Sequence, residues 1–550
     1  MEQNAPARFS CRKSERNSGM GQNRQWDGTA AGRSKIRGQN GQISDLAFEK
    51  RFFISAAVYY KLLHQNSGQP ASGTDTSRCL RRLSEKIEGW GKEKSEREDS
   101  RVKQYEPYKR LIRFFSALAV IGLETAVYWY VWNSYYNRIL EYPFWRRGNW
   151  LMVALYSCIL FFFLHTYGGF KIGYLKTVNL ICSQILSLLF ANGITYLQIS
   201  LIDKKFHSLR AITVMTVIQI LTASLWIYLF QRLYRRLFPP RRLLLISGDR
   251  PAFQLMEKVH SRKDKYYLAG AMNIKMGIPA IMDEAVHYDA VIIGDIPAEK
   301  RNELMKRCFE KDIRSYTVPK ISDILIRTSD EPDIFDSPLL LSRNEGLQPG
   351  QRIVKRIMDL AVSGIGLILT APFFLLISLS VKLTDGGPVF YCQNRLTLGG
   401  KEFRIYKFRT MVQDAEKTGK AQLARENDSR ILPVGRFLRR TRLDELPQLI
   451  NIWKGEMSLV GPRPERPELA AEIEKEIPEF SYRLKMKAGL TGYAQIYGKY
   501  NTTPYDKLKL DLTYIRNYSL LLDLKLILMT PKIMMLKEST EGVKQEALSK

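Results

Sequence analysis

Four long apolar stretches dominate the pattern of hydrophobic and polar positions in the first half of the chain. They cover approximately residues 111–132, 150–170, 175–197 and 211–233. Each is close to the roughly 20 residues that an α-helix needs to cross the hydrocarbon core of a bilayer. We therefore predict a membrane α-helical domain, a four-helix bundle of transmembrane helices, over residues 109–236.

Basic residues flank this set of helices on both sides. Lys109, Arg110 and Arg113 precede the first apolar stretch, and Arg235 and Arg236 follow the last one closely. The positive-inside rule places both ends in the cytoplasm, and an even number of crossings agrees with that placement. We expect a multi-pass protein of the inner (cytoplasmic) membrane, with the C-terminal half of the chain on the cytoplasmic face.

Residues 1–108 show no comparable periodicity. They are rich in Arg, Gly, Gln, Asn and Ser, and their apolar run at 52–63 is too short to span a membrane. Such a composition buries too little apolar surface to offset the entropy of ordering, so we predict a basic, mostly disordered region. No nucleic acid is expected as a partner, because no aromatic platform or folded RNA-binding module accompanies the basic residues.

Short apolar runs separated by charged helical stretches follow over residues 240–345. The runs at 243–247 and 290–294 are typical of buried parallel strands, so we predict a small α/β Rossmann-like domain. A dinucleotide site in that fold has a GxGxxG fingerprint after the first strand, whereas this chain continues from Gly248 with Asp, Arg and Pro. A structural or regulatory role is therefore favoured over an NAD site, and an NAD-dependent sugar-nucleotide epimerase is disfavoured.

A fifth apolar stretch, within residues 355–382, opens the last 200 residues and carries Pro372 near its middle. Proline removes a helical hydrogen bond and kinks the helix. Basic residues stand at both ends, Lys355 and Lys382 among them, and a full crossing would move the cationic domain that follows across the membrane. We predict a re-entrant helix that enters one leaflet and returns, broken at Pro372. A fifth transmembrane helix is the alternative.

Composition limits the chemistry that the chain can perform. Lys and Arg number 84 against 55 Asp and Glu, which gives a net charge of +29 and favours polyanionic partners or an anionic membrane surface. The six cysteines lack the spacings of a disulfide framework or a zinc site, and no histidine follows His287. Chemistry in the last 200 residues must therefore use other groups.

Two adjacent carboxylates, Asp444 and Glu445, are the candidate reactive groups. They precede Pro447 and a helical apolar spacing, so we predict a helix beginning near Asp444, whose N-terminus would keep that acid ionised. A lone Asp at such a position is usually an N-cap. Here, however, arginines stand on both sides of the pair: Arg436, Arg439, Arg440, Arg442, Arg463 and Arg466. Carboxylates bind Mg²⁺ and arginines bind phosphate, so the pattern predicts a phosphoryl-transfer site with a carboxylate nucleophile.

Four motifs in this region resemble a known family. They are KFRTM at 407–411, LDELPQLIN at 443–451, GEMSLVGPRPE at 455–465 and GLTGYAQIYG at 489–498. With these motifs the chain resembles the bacterial sugar transferases, in the large form of the polyprenyl-phosphate hexose-1-phosphate transferases, or phosphoglycosyl transferases. The resemblance implies a monotopic, α-rich catalytic domain with a re-entrant helix, here over residues 351–536. Ala488 stands where the family commonly has proline.

The resemblance also implies a reaction and its residues. A sugar 1-phosphate would move from a UDP-sugar to undecaprenyl phosphate, with UMP released, to initiate exopolysaccharide, capsule or O-antigen repeat-unit synthesis. Asp444 would be the nucleophile of a covalent phospho-sugar intermediate, and Glu445 its partner and, with Asp444, a ligand of Mg²⁺ or Mn²⁺. Arg463 would bind the donor phosphate. The other expected phosphate-site residues are Lys407, Arg409 and Arg440.

Three further expectations concern the C-terminus, the partners and an alternative function. Residues 511–530 contain an apolar run interrupted by Asp523 and Lys525, which predicts an amphipathic helix at the membrane interface, followed by a charged tail at 537–550. Membrane lipid is an expected partner, and four helices without a catalytic task suggest a homo-oligomer. The alternative function is a non-catalytic membrane scaffold whose Rossmann-like domain senses nucleotides and regulates polysaccharide export.

Overall fold

The computed structural model describes six ranges of the chain: 105–248, 252–332, 336–342, 346–412, 430–499 and 502–535. The N-terminal region predicted to be disordered, up to residue 104, and the predicted charged tail at 537–550 lie outside the described residues, as do residues 249–251 after the first strand.

Four apolar helices form the N-terminal part of the described chain and confirm the four predicted helices. They are α1 (Lys109–Val131), α2 (Arg147–Tyr167), α3 (Thr177–Ile202) and α4 (Arg210–Leu237). Helix α1 continues through a π-helical turn and a final short turn to Ile139. The helices pack around fully buried aromatic side chains, among them Trp132 and Tyr156. Each is long and apolar enough to cross a membrane.

Buried polar side chains inside these helices bond to one another. Gln219 Nε2 donates to the Glu124 carbonyl at 2.9 Å and to the Tyr156 hydroxyl at 2.8 Å. Asn192 Nδ2 donates to Gln219 Oε1 at 2.8 Å. Because lipid offers no hydrogen-bond partners, such contacts fix how the helices face one another.

A four-stranded parallel sheet follows, in the order β2-β1-β3-β4. Its strands are β1 (Arg241–Ser247), β2 (Tyr266–Asn273), β3 (Ala290–Ile293) and β4 (Ser315–Thr317). The helices between and after the strands are α5 (Phe253–His260), α6 (Ile278–Ala285), α7 (Ala298–Glu310) and α8 (Ile321–Arg327). All four residues of β3 are buried, as expected where helices cover a parallel sheet. The predicted parallel sheet with intervening helices is confirmed.

The C-terminal part combines one very long helix with short helices and two small sheets. The long helix is α9 (Pro349–Asp385), and the elements after it are β5 (Phe390–Leu396), β6 (Glu402–Phe408), α10 (Pro433–Thr441), α11 (Gln448–Lys454), β7 (Ser458–Val460), α12 (Pro467–Glu476), β8 (Gly489–Thr491), α13 (Tyr493–Tyr497), α14 (Pro504–Arg516) and α15 (Leu520–Met535). Strands β5 and β6 form an antiparallel hairpin, and β7 pairs with β8 in parallel.

Helix α9 is the fifth helix in the described ranges that is long and apolar enough to cross a membrane. The helix runs without interruption through Pro372, where the sequence predicts a break. Apolar side chains on both sides of the proline are exposed. Ile368 is 76% exposed and Leu375 is 73% exposed. A large exposed apolar surface on a helix of this length indicates contact with lipid rather than water.

The predicted helix over the apolar run within residues 511–530 is α15, and the first residues of this segment belong to α14, separated from α15 at residues 517–519. Asp523, one of the two charged residues that gave the amphipathic pattern, is fully buried, and Lys355 of α9 lies 2.6 Å from its carboxylate. Lys532 Nζ donates to the Tyr167 carbonyl of α2 at 2.9 Å. Helix α15 therefore contacts α9 within the C-terminal part and joins that part to the N-terminal helices.

Candidate active site

Asp444 and Glu445 lie in a short 3₁₀ turn between α10 and α11. The predicted helix start near Asp444 is therefore wrong, because α11 begins only at Gln448. Arg442 has a φ of 59° and ends α10 in the left-handed conformation, which turns the chain into this segment. Since the two acids do not stand at the N-terminus of a regular helix, their ionisation depends on burial and on neighbouring side chains rather than on a helix dipole.

Three cations surround Glu445. Its Oε1 atom lies 2.9 Å from Lys407 Nζ, 3.4 Å from an Arg463 guanidinium nitrogen and 3.7 Å from one of Arg442. Burial alone would raise the pKa of Glu445, but the three cations outweigh it and hold that pKa well below its usual range. Glu445 is therefore an ionised carboxylate in the folded protein.

Asp444 differs from its neighbour in both contacts and charge. It is 9% exposed, and its Oδ1 atom has no hydrogen-bond partner in the part of the chain that the structure describes. Burial and, secondly, the negative charge of Glu445 raise the pKa of Asp444. This corrects the expectation that a helix N-terminus keeps Asp444 ionised. Two adjacent carboxylates with pKa values moved in opposite directions are typical of acid–base and nucleophilic sites.

A small pocket opens beside Glu445, Lys407 and Arg463. Arg395 and Gln448, which the sequence did not single out as site residues, also line it. Arg395 donates to the Pro464 carbonyl at 3.2 Å, so it contacts the loop that carries Arg463. The sequence feature that could have identified Gln448 as a site residue is its position one helical turn after Glu445 in the LDELPQ motif.

Two expected phosphate-site residues lie elsewhere. Arg409 is 5% exposed; it pairs with Asp385 at the C-terminal end of α9 and donates to the Pro388 carbonyl at 2.6 Å. Arg440 is exposed in the last turn of α10. Within the described ranges, the cations within 4 Å of Glu445 are Lys407, Arg442 and Arg463. The structure thus brings Lys407 and Arg463 to the carboxylates, but not Arg409 or Arg440.

The loop at residues 461–465 presents Arg463 and is fixed by its backbone. The Gly461 N–H donates to the Thr491 carbonyl at 2.9 Å, and the Gly489 N–H donates to the Pro462 carbonyl at 2.9 Å. A Cβ atom on Gly489 would collide with the Gly461 backbone, so this close approach requires glycine. Two prolines in the loop further restrict it.

Ala488, which replaces the proline common in the resembling family, precedes this contact. Its N–H donates to Thr397 Oγ1 at 3.2 Å, a bond that proline could not make. The Thr397 hydroxyl in turn donates to the Glu456 carbonyl at 2.9 Å. The alanine therefore replaces the rigidity of a proline ring with a hydrogen bond to the connection between β5 and β6.

Asp444 and Glu445 are the residues that could hold a divalent cation. No group of three or more His, Cys, Asp or Glu side chains suited to a metal occurs among the residues that the structure describes. Mg²⁺, however, usually keeps several waters and binds one or two carboxylates together with substrate phosphates. The unpaired Oδ1 of Asp444 fits that binding mode. The donor set is therefore suited to a magnesium ion that binds with a phosphorylated substrate.

Comparison with known proteins gives one matching family model, described as bacterial sugar transferase, over residues 350–537. A UDP-N-acetylgalactosamine-undecaprenyl-phosphate N-acetylgalactosaminephosphotransferase from Aeromonas hydrophila is 37% identical over 254 residues, which are 45% of this chain and 59% of that protein. A UDP-glucose:undecaprenyl-phosphate glucose-1-phosphate transferase from Xanthomonas campestris pv. campestris is 36% identical over 274 residues, 46% of this chain and 56% of that protein.

A third relative is shorter. A putative undecaprenyl-phosphate N-acetylgalactosaminyl 1-phosphate transferase from Bacillus subtilis is 47% identical over 131 residues, which are 24% of this chain and 73% of that protein. The chain spans a little more than half the length of the two longer relatives. Each of the three names describes transfer of a sugar phosphate with undecaprenyl phosphate; two of them name N-acetylgalactosamine and one names glucose.

Proposed function

The chain belongs to the bacterial sugar transferase family, and we propose that it transfers a sugar 1-phosphate from a UDP-sugar to undecaprenyl phosphate. The observation that carries this proposal is the pair Asp444–Glu445 with three cations from three separate segments around Glu445. Carboxylates beside Arg and Lys suit phosphoryl groups, which need both a nucleophile and neutralisation of charge. The names of the relatives support undecaprenyl phosphate as the acceptor.

The proposed reaction has two displacements at one phosphorus atom. A carboxylate oxygen of Asp444 attacks the sugar-bearing phosphorus of the donor, and the bond from that phosphorus to the bridging oxygen breaks. UMP leaves with the bonding electron pair, and the phospho-sugar stays on Asp444. An oxygen of undecaprenyl phosphate then attacks the same phosphorus and releases the Asp444 carboxylate. One acyl phosphate and then one diphosphate are formed, so no oxidant or further reactant is needed.

The cations around Glu445 supply binding and orientation. Arg463 has a side chain that is 45% exposed, so it can reach a donor phosphate while its backbone is held by β8. Lys407 is 21% exposed and lies on the rigid β5–β6 hairpin. Because one phosphoric anhydride replaces another, the overall reaction is close to thermoneutral, and catalysis depends on position and charge neutralisation.

We further propose Mg²⁺ as the cofactor, held by Asp444 and Glu445. When bound, it would neutralise donor phosphate charge and favour the ionised form of Asp444. The residues themselves keep Glu445 ionised through Lys407, Arg442 and Arg463, and hold Asp444 next to it with one free oxygen. Mn²⁺ would suit the same oxygen ligands.

The contacts of α9 support a re-entrant helix rather than a crossing. Arg356, near its start, donates to the Ile452 carbonyl at 2.7 Å, and Asp385, at its end, pairs with Arg409 of the segment after β6. The two anchoring points lie on adjacent elements, because the Tyr406 N–H of β6 donates to Asn451 of α11 at 3.0 Å.

Both ends of α9 therefore contact elements of the same catalytic part, and these elements are bonded to each other. Pro372 removes one backbone hydrogen bond inside α9, which favours a bend there. We propose that α9 bends at Pro372 and returns to the cytoplasmic side, so that the catalytic domain is monotopic. Helices α1–α4 would cross the inner membrane as a bundle, and the α/β part would be a Rossmann-like regulatory domain on the same side.

The proposed function can be tested in membranes that contain the full chain. With UDP-sugar, undecaprenyl phosphate and Mg²⁺, UMP release should depend on both substrates, and the Asp444→Asn variant should lose at least a hundredfold in rate. Asp264→Asn is a matched control, because Asp264 pairs with Arg262 in the α/β part. Full UMP release by Asp444→Asn would reject the nucleophile, and no release by the wild type with any UDP-hexose would reject the reaction.

A further inference from the structure

A second arginine, Arg483, lies directly behind the loop that presents Arg463. It is 4% exposed, in the 3₁₀ segment Pro478–Lys485 between α12 and β8. One of its guanidinium nitrogens donates to the carbonyl oxygen of Arg463 at 2.9 Å. Another lies 3.5 Å from Glu465 Oε1, at the far end of the same loop. Arg483 thus contacts the loop on both sides of the residue that reaches the carboxylates.

The charge of Arg483 is balanced by Asp511 of α14. The Arg483 nitrogen lies 2.8 Å from Asp511 Oδ2, and the Asp511 side chain is 2% exposed. The Phe480 ring lies 4.9 Å from the guanidinium carbon, so an aromatic face covers the cation. The charged groups that act on Asp511 are Arg483, Glu465 and Lys507. A planar fork of donors, fixed by a buried counter-charge, is well suited to hold a backbone carbonyl in place.

The surroundings explain why the loop needs this support. A cavity of about 180 Å³ lies next to the loop, lined by Pro462, Arg463 and Glu465 from the loop and by Arg483 from behind. If Arg483 did not donate its hydrogen bond to the loop, the loop could shift into this cavity. Arg463 contacts Glu445 at 3.4 Å, so a backbone shift of about 1 Å would remove that contact.

We propose that Arg483, neutralised by Asp511, is a positioning residue for the donor phosphate site: it fixes the backbone of Arg463 so that the Arg463 side chain meets the phosphate beside Asp444 and Glu445. This inference rests on the proposed function for the identity of the donor. Arg483 touches no reacting atom itself. It acts through the carbonyl of Arg463, which is a different task from the exposed, phosphate-facing side chain of Arg463.

A second Arg–Asp pair, with a buried arginine and a partly exposed aspartate, separates positioning from ordinary stabilisation. Arg301 of α7 is 7% exposed and pairs with Asp323 of α8 through contacts of 2.6 and 2.9 Å. This pair lies in the α/β part and does not contact residues 461–465. Replacing both partners of a buried pair with apolar residues of similar size is often neutral for stability, whereas removing one partner is costly.

The test therefore compares two double variants of the full-length protein in membranes: Arg483→Met with Asp511→Leu, and Arg301→Met with Asp323→Leu. We measure kcat and kcat/KM for the UDP-sugar, the Kd of UDP, and the thermal unfolding midpoint. For the first variant we expect about a tenfold fall in kcat/KM and a similar rise in Kd, with kcat changed less than threefold, because one charged hydrogen bond to the loop is lost. The second variant should keep the wild-type kcat, kcat/KM and Kd, even if its unfolding midpoint changes, because Asp323 also accepts a hydrogen bond from the Lys320 N–H.

The outcomes decide between the two roles. A first variant with wild-type kcat/KM and Kd, or equal losses in both variants, would overturn the positioning role. If the first variant does not fold, Arg483→Lys decides: lysine keeps the charge beside Asp511 but loses the fork, so an unchanged Kd of UDP would overturn the proposal, and a rise of about threefold would support it. Failure of the proposed function is visible separately, as absence of UMP release by the wild type.

Discussion

Replacing Glu445 with glutamine should strengthen nucleotide binding while it abolishes turnover. In the structure, Glu445 occupies three cations that a donor phosphate also needs, at 2.9, 3.4 and 3.7 Å. A phosphate that shares a cation with the carboxylate lies about 6 Å from it, and each negative charge on it is then repelled by about 1.4–2.8 kcal/mol at an effective dielectric constant of about 20–40. The lower figure corresponds to a tenfold change in Kd.

The measurement is the Kd of UDP, by calorimetry on purified protein in lipid nanodiscs, with and without Mg²⁺. In EDTA, Glu445→Gln should bind UDP about tenfold more tightly than the wild type, since the repelling charge is gone and the cations are free. Addition of Mg²⁺ should tighten binding to the wild type but much less to the variant, because one carboxylate ligand is lost. UMP release by the variant should fall at least a hundredfold.

Glu284→Gln is the matched control, since Glu284 accepts a hydrogen bond from Tyr288 at 3.1 Å in the α/β part, and it should leave the Kd of UDP unchanged. Unchanged or weaker UDP binding by Glu445→Gln in EDTA would refute the reasoning. That result would mean that Lys407, Arg442 and Arg463 serve only to hold the carboxylate and do not meet the donor phosphate.

Three more predictions concern pH, topology and stability. Burial raises the pKa of Asp511 to about 6, so the folded chain keeps a proton that the unfolded chain releases near pH 4. The free energy of unfolding should therefore fall as the pH rises from 4 to 6. Thermal melts of Asp511→Asn should lack this fall. In spheroplasts, Cys392, exposed on β5, should react with an impermeant maleimide only after lysis, whereas Pro372→Leu should expose a fraction from outside; external labelling of the wild type would reject the cytoplasmic orientation. Lys355→Met should lower the free energy of unfolding by about 3–5 kcal/mol, because the Asp523 carboxylate stays buried without its cation. The double variant Lys355→Met with Asp523→Leu should regain most of this loss. Equal thermal unfolding midpoints for the two variants would contradict the prediction.

Features that depend on local sequence were predictable. The four apolar helices follow from runs of about 20 apolar residues, and the parallel strand β3 follows from a continuous apolar segment. The convergence of Lys407 and Arg463 on the acidic pair could be proposed only because the motifs resemble a family, since 38 residues separate Lys407 from Glu445 in the sequence. Charge density alone pointed equally to Arg440, which is exposed.

Features that depend on tertiary burial were not predictable from the pattern. Asp523 looked like a polar position in an interfacial helix, but Lys355, 168 residues earlier, neutralises it inside the protein. Arg409 lies two residues after Lys407, yet it pairs with the end of α9 because Asp385 stands there. The opposite pKa shifts of Asp444 and Glu445 also required coordinates, because they arise from burial and from three side chains that the turn brings together.

The membrane helix belongs to the framework of the site and does more than attach the domain to lipid. Asp359 of α9 accepts hydrogen bonds from Ser458 Oγ at 3.0 Å and from the Leu459 N–H at 2.9 Å, so α9 holds strand β7, which leads into the Arg463 loop. On the other side of that loop, α14 holds it through Asp511 and Arg483. Arg463 is therefore fixed between an element with a large exposed apolar surface and one without it. Under the proposed function, a lipid-linked phosphate bound beside α9 would meet the same residues that orient the water-soluble donor.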